Sequence, residues 1–212
     1  MGSAVEMEFC VNLESHSGTG EFVVLQLRPM GAREEMVRVG ISQDEIDNAV
    51  IYSRQALGNT VNQDIQDIVF VKPKEFDPGR TKTIADEIGR LNTKLMFENR
   101  KYLLIGPGRW GSADPWLGIP VRWEDICGVG AIVETDHPRM RPEPSQGSHF
   151  FHNITTLGIN YLTASESTSG SIAWQWLCDQ PKISETEQVA LVHLNRPLIL
   201  KVDGEHSEAV IL

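Results

Sequence analysis

The chain has 212 residues and a net charge of −10, from 19 Lys and Arg against 29 Asp and Glu. A chain of this length buries a core without disulfide or metal staples, and 41% apolar with 23% charged residues is a globular rather than a disordered composition. The acidic balance opposes general nucleic-acid binding, which uses Lys and Arg to neutralise phosphates; a local site for a small anion stays open. No apolar run reaches the roughly 18 residues of a membrane span, so no membrane partner is expected. The start shows no basic segment followed by an apolar stretch, so no signal peptide is expected either. Cys10, Cys127 and Cys178 have no paired spacing. Reduced thiols, serving as small buried hydrophobes in a cytoplasmic protein, are the expectation.

Met1-Gly2-Ser3 has the look of a cloning scar, and the text from Val5 reads like the middle of a strand. A piece of a longer protein is the expectation. Val5 to Leu13 alternates with period two, Met7, Phe9 and Val11 on one face and Glu6, Glu8 and Cys10 on the other. A polar, glycine-containing loop follows, and Glu21 to Leu27 is a second strand that Pro29 stops. The two form a hairpin with a longish connection. Two strands alone are marginal, so the expected neighbours belong to a preceding part of the parent polypeptide.

Ser42-Gln43-Asp44-Glu45 is a capping-box pattern, and Ile46, Val50 and Leu57 extend a helical face to Gly58. Asp67 to Val71 is a continuous apolar run, as buried parallel strands are. A helix starting near Asp77 or Thr81 carries Ile84, Ile88, Leu91 and Leu95 on one face. Further strands are expected at Lys101–Ile105, Gly130–Glu134 and Ile159–Thr163, and helices over 147–158 and 172–178. Val189–Leu194, Leu198–Val202 and Ala209–Leu212 read as strands, the last two joined across Asp203-Gly204. Because strands alternate with helices from about residue 40 to 165, the expected class is α/β: a mostly parallel sheet flanked by helices, with an N-terminal hairpin and an antiparallel C-terminal edge. The expected division is 1–35, the hairpin, and 36–212, an α/β domain.

Three constellations could carry chemistry. Gly106-Pro107-Gly108-Arg109-Trp110-Gly111-Ser112 fits G-x-G-x-x-G after a strand, and Glu134 ends the next apolar strand. That fingerprint needs a helix whose first amides face a pyrophosphate, and Pro115 and Pro120 stand against one here. The alternatives are a turn in which amides, Arg109 and Ser112 hold an anion, or a structural loop. Trp110, Trp116 and Trp123 read as packing aromatics. The second constellation is Pro144 to Asn153, where Ser145, Ser148 and His149 gather at an expected helix start. An anion contact or helix capping fits better than a metal, because His149 and His152 lack a third ligand. The third is the hairpin: Glu6 and Glu8 with Gln26 and Arg28 have outward parity, so a carboxylate, an amide and a guanidinium could meet Mg²⁺ and phosphates. A solvated polar face is the plain alternative.

Val5-Glu6-Met7-Glu8-Phe9 followed by Val24-Leu25-Gln26-Leu27-Arg28-Pro29 resembles the end of the nucleotide-binding domain of phosphoenolpyruvate synthase and pyruvate phosphate dikinase. The strings Gly108–Val121 and Pro144–Phe151 are similar to the C-terminal extension of a divergent bacterial subgroup of that family. The resemblance implies an ATP-grasp end over residues 1–35. There, Glu8, Gln26 and Arg28 would contact ATP, with Glu8 also on Mg²⁺. It implies a phosphotransferase acting on pyruvate-type acceptors, but no chemistry for the extension. The family's phosphohistidine segment, its glycine-rich lid and its pyruvate barrel are not in this sequence. The expectation is therefore the C-terminal part of such an enzyme, inactive alone and binding no cofactor tightly. The alternatives are an anion- or nucleotide-binding regulatory module over 36–212, or a homodimerisation domain using Trp174 and Trp176.

Overall fold

The structure is a computed structural model that describes residues 5–12, 20–29, 38–114, 116–140, 154, 157–165 and 170–212. Two compact units divide the chain at Val37 and Arg38.

In the first unit, β1 (Val5–Asn12) pairs antiparallel with β2 (Glu21–Pro29). The ladder contains a bulge: Glu8 opposes Gln26 and Phe9 opposes Val24, so Leu25 has no partner. The extra residue reconciles two patterns. With unbroken alternation Phe22, Val24 and Gln26 would share a face; the bulge turns Gln26 to the other side. Phe9, Val11, Phe22 and Val24 then form one apolar face, exposed to solvent in this unit, with the Phe9 and Phe22 rings stacked 4.8 Å apart.

The second unit opens with α1 (Gln43–Asp47), and Ser42 and Glu45 close the expected capping box. The helix stops at Asp47 instead of running to Gly58. Local spacing is overridden by pairing at long range. The Val50 amide donates to the Ile211 carbonyl, and 51–57 become two short strands, β3 (Ile51–Ser53) and β4 (Gln55–Leu57). The chain continues through β5 (Thr60–Asn62), β6 (Asp67–Val71), α2 (Thr81–Phe97), β7 (Tyr102–Pro107), β8 (Arg109–Trp110), β9 (Gly118–Ile119) and β10 (Val129–Thr135). Then follow β11 (Asn160–Ala164), β12 (Gly170–Ile172), α3 (Trp174–Asp179), β13 (Lys182–Glu185), β14 (Val189–His193), β15 (Leu200–Asp203) and β16 (Glu208–Ile211). The helix expected over 147–158 falls almost wholly outside the described residues.

The expected mostly parallel sheet flanked by helices is overturned: among the described residues strand outweighs helix, 42% to 21%, and the sheets are mixed and antiparallel. One sheet has the order β13-β14-β6-β7-β10-β11-β4. Only its centre, β6, β7, β10 and β11, is parallel; β14 and β4 join antiparallel. The other sheet, β12-β3-β16-β15-β5, is antiparallel throughout. The expected C-terminal edge is thus divided, β14 entering the mixed sheet and β15–β16 the antiparallel one.

The two sheets pack face to face. Ile68, Phe70, Leu103, Ile105 and Val133 meet Ile51, Leu200, Val202, Ala209 and Ile211 in one buried cluster. The opposite face of the mixed sheet, with Val69, Leu104, Ile132 and Leu191, is covered by α2 through Ile84, Ile88 and Leu95, and by Trp110 and Ile119. An antiparallel sheet therefore does the covering that helices were expected to do. Its β15 and β16 fall where strands were expected, but β3, β5 and β12 are only three residues long, too short for a period to register in sequence. No helix among the described residues is long and apolar enough to cross a membrane. The three cysteines are free; Cys10 is exposed, and Cys127 and Cys178 are half-buried, so none is the fully buried hydrophobe expected.

Candidate functional site

Parallel strands commonly hold ligands beyond their carboxyl ends, where the loops diverge. Here that edge carries the glycine loop after β7, Asp136 and His137 after β10, and Ser165 after β11. No helix starts in the loop; β8 does, and it pairs with β9. The Gly108 amide donates to the Thr135 carbonyl at 2.9 Å, Arg109 to Leu117 at 2.8 Å and Gly111 to Ile119 at 2.9 Å. The Trp110 amide donates to Glu134 Oε1 at 3.1 Å. The amides of 108 to 111 are therefore all engaged within the protein, and none is left to cradle a phosphate.

The glycines have packing reasons. A Cβ at Gly106 would lie 2.6 Å from the Trp110 ring. Gly108 has φ +72°, and a Cβ there would lie 2.3 Å from Met140 Sδ. Glu134, placed by spacing where a ribose-binding acid would stand, is buried; it receives the Trp110 amide and, at 2.5 Å, the Tyr161 hydroxyl. This carboxylate ties the loop to β10 and β11.

Arg109 is half-buried at the base of the loop and already in contact with neighbours. The Ser112 hydroxyl donates to the Asp114 carbonyl at 3.1 Å, closing a local turn. Ser145, Ser148 and His149 lie outside the described residues. Ser165 donates to Asp136 Oδ2 at 2.7 Å. His137 packs edge-on to Phe76 and its Nδ1 accepts from the Arg139 amide at 3.2 Å. Burial pushes its pKa below the ordinary histidine value, against a smaller opposite effect of the Pro73 carbonyl.

The hairpin brings Glu8 and Gln26 together as direct cross-strand neighbours, with both residues exposed. Glu6 and Arg28 are the next pair of the same parity; their side chains lie outside what is described. Trp110 is in the core, Trp123 is half-buried, and Trp116 is exposed. Trp174 and Trp176 are half-buried and both pack against the inter-sheet core. Among the described residues, no three His, Cys, Asp or Glu side chains gather as a metal site would require.

Two clusters had no signal in the sequence. Asn92 on α2 is buried; its Oδ1 accepts from the Tyr102 hydroxyl at 3.0 Å and the Gly128 amide at 2.9 Å, and its Nδ2 donates to the Glu124 carbonyl at 3.1 Å. At the other end of the mixed sheet, Asp67, Arg100 and His193 meet, from positions 33 and 126 residues apart. Polar residues inside apolar runs were the only available hint. Comparison of the chain with protein-family models, curated proteins and solved structures finds no match.

Proposed function

We propose that this chain is the C-terminal part of an ATP-dependent phosphotransferase resembling phosphoenolpyruvate synthase and pyruvate phosphate dikinase, with β1 and β2 forming one wall of a nucleotide site. The observation that carries the reading is the bulge at Leu25, which puts Gln26 opposite Glu8 and keeps it off the apolar face. A carboxylate and an amide side by side on a polar strand face fit the edge of a Mg-nucleotide site. Mg²⁺ takes one or two protein carboxylates and completes its shell with phosphate and water oxygens, and Glu8 is the carboxylate offered. Arg28 is the phosphate donor in this reading, because a guanidinium matches phosphate in bidentate geometry. The exposed apolar face of Phe9, Val11, Phe22 and Val24 supports it as well, since such a face suits packing against further elements of a nucleotide domain.

Phosphoryl transfer works through positioning and electrostatics. Two strands supply few of the positioning groups, so the chain alone binds weakly and does not turn over. Titration with Mg-ATP followed by amide NMR tests this. Expected are shifts confined to the hairpin, half-complete at about 1 mM or above, and lost in Glu8→Gln. An unresponsive hairpin, an unchanged response in Glu8→Gln, or micromolar binding overturns the reading.

A second reading, a small-anion site in 38–212, is favoured by the position of Arg109 at the carboxyl ends of β7 and β10. Since the loop amides are engaged, the side chain would do the binding. Phosphate or phosphoenolpyruvate should raise the melting temperature of the wild type and not of Arg109→Ala; no shift in the wild type removes this reading.

A further inference from the structure

The amino end of the mixed sheet, opposite the glycine loop, holds an open cleft of about 390 Å³ lined by Asp64, Gln66, Asp67, Asn99, Arg100, Lys101 and His193. That volume is within the usual range for small-molecule sites. Its floor is built. Asp67, the first residue of β6, is buried, and its carboxylate receives Arg100 through Nε at 2.9 Å and through Nη2. The same guanidinium reaches Glu98 through Nη1. Arg100 gets there because α2 ends in a tight turn. Asn99 takes φ +53°, and the Arg100 amide returns to the Leu95 carbonyl at 2.9 Å.

His193 Nδ1 lies 3.0 Å from Asp67 Oδ1 and 2.9 Å from Arg100 Nη2. Nδ1 is thus tied to the Asp67–Arg100 pair, which fixes the imidazole and leaves Nε2 for the cleft. The rest of the lining is unengaged. Lys101, Asn99 and Gln66 make no side-chain hydrogen bond or ion pair to a described residue, and neither does Asp64. Three donor-bearing side chains and a fixed imidazole thus face one open carboxylate.

We propose that this cleft binds a small molecule through a phosphate- or sulfate-type oxyanion, held by Lys101 and by the His193 Nε2–H. Asp67 and Arg100 are positioning residues that hold the ring from below. Asp64 is the opposing charge. The other charged groups around His193 are accounted for: Glu98 is on Arg100, and Lys182 on the neighbouring β13 donates to the Cys178 carbonyl.

Sulfate is the probe, because it stays fully ionised at neutral pH. The readout is the His193 ring resonances by NMR in the 212-residue chain at one fixed pH, in sulfate and in chloride of equal ionic strength. Sulfate should move those resonances in a saturable way. Lys101→Gln should remove most of the sulfate response, and Asp64→Asn should strengthen it several-fold. Both residues are exposed, so both variants should fold. Identical His193 resonances in sulfate and chloride, or an unchanged response in Lys101→Gln, overturn the proposal. The Mg-ATP test of the hairpin reads different residues, so either can fail alone.

Discussion

Replacing Glu134 by Ala tests whether a buried carboxylate, and not the glycines alone, holds the 106–111 loop. The side chain is 5% exposed and accepts from the Trp110 amide and the Tyr161 hydroxyl. Removal leaves both donors buried without this acceptor, at about 1–3 kcal/mol each. Relief of the carboxylate's own desolvation offsets part of that. A net loss of about 3 kcal/mol is expected, which for a chain of this size lowers the melting temperature by about 6–12 °C. Tyr161→Phe alone should cost about 2 kcal/mol, as for a hydrogen bond to a charged group. The double variant should cost clearly less than the sum, because both changes remove the same contact. Urea unfolding monitored by tryptophan fluorescence gives all three values. Glu134→Ala should also redden the emission, as Trp110 loses the anchor of its backbone. If it unfolds within about 0.5 kcal/mol of wild type, or if the two changes simply add, the anchoring argument fails.

Asn92→Ala should cost about 3 kcal/mol in urea unfolding, because the Tyr102 hydroxyl, the Gly128 amide and the Glu124 carbonyl each lose a partner. A loss below about 1 kcal/mol refutes the view that this amide fastens α2 to β7 and the turn before β10. In the turn between β15 and β16, His206 Nδ1 is 2.8 Å from Asp203 Oδ2. The Asp203 hydrogen bond and charge raise the histidine pKa, and the His206 ring lowers that of the aspartate. A raised histidine pKa stabilises below the unfolded-state value and loses its contribution as pH rises through the folded one. A lowered aspartate pKa stabilises above its unfolded value and fades as pH falls through the folded one. The melting difference between wild type and His206→Gln should therefore be largest near pH 5 to 6 and vanish above about pH 8. A difference that grows with pH contradicts the assignment.

The parallel centre of the mixed sheet was legible because β6, β7, β10 and β11 are mostly apolar stretches of five to seven residues, buried throughout. The α2 face was legible because its spacing repeats over 17 residues. The stretch 43–58 was misread because Ile46, Val50 and Leu57 happen to keep helical spacing, while Ile51 and Ser53 are committed to partners in β16, over 150 residues away. The loop at 106–111 was legible as a tight turn. Which way its amides face was not, because Thr135, Leu117, Ile119 and Glu134 receive them only once β8, β9 and β10 are assembled. Asp67 was read as the edge of an apolar run, and nothing near it in sequence announces Arg100 or His193.

The sequence by itself determined the elements whose pattern of residues is complete within one segment: the hairpin strands, the parallel run of strands, α2, and the capped start at Ser42. Each needs only its own neighbours to show which side is apolar. Only the tertiary structure decided that a second sheet, not a layer of helices, covers the inner face of the first. It also decided that a bulge at Leu25 aligns Gln26 with Glu8, and that Asp67, Arg100 and His193 converge. Those outcomes depend on hydrogen bonds and charge pairs between residues far apart along the chain, and such pairings leave no period in the local order of residues.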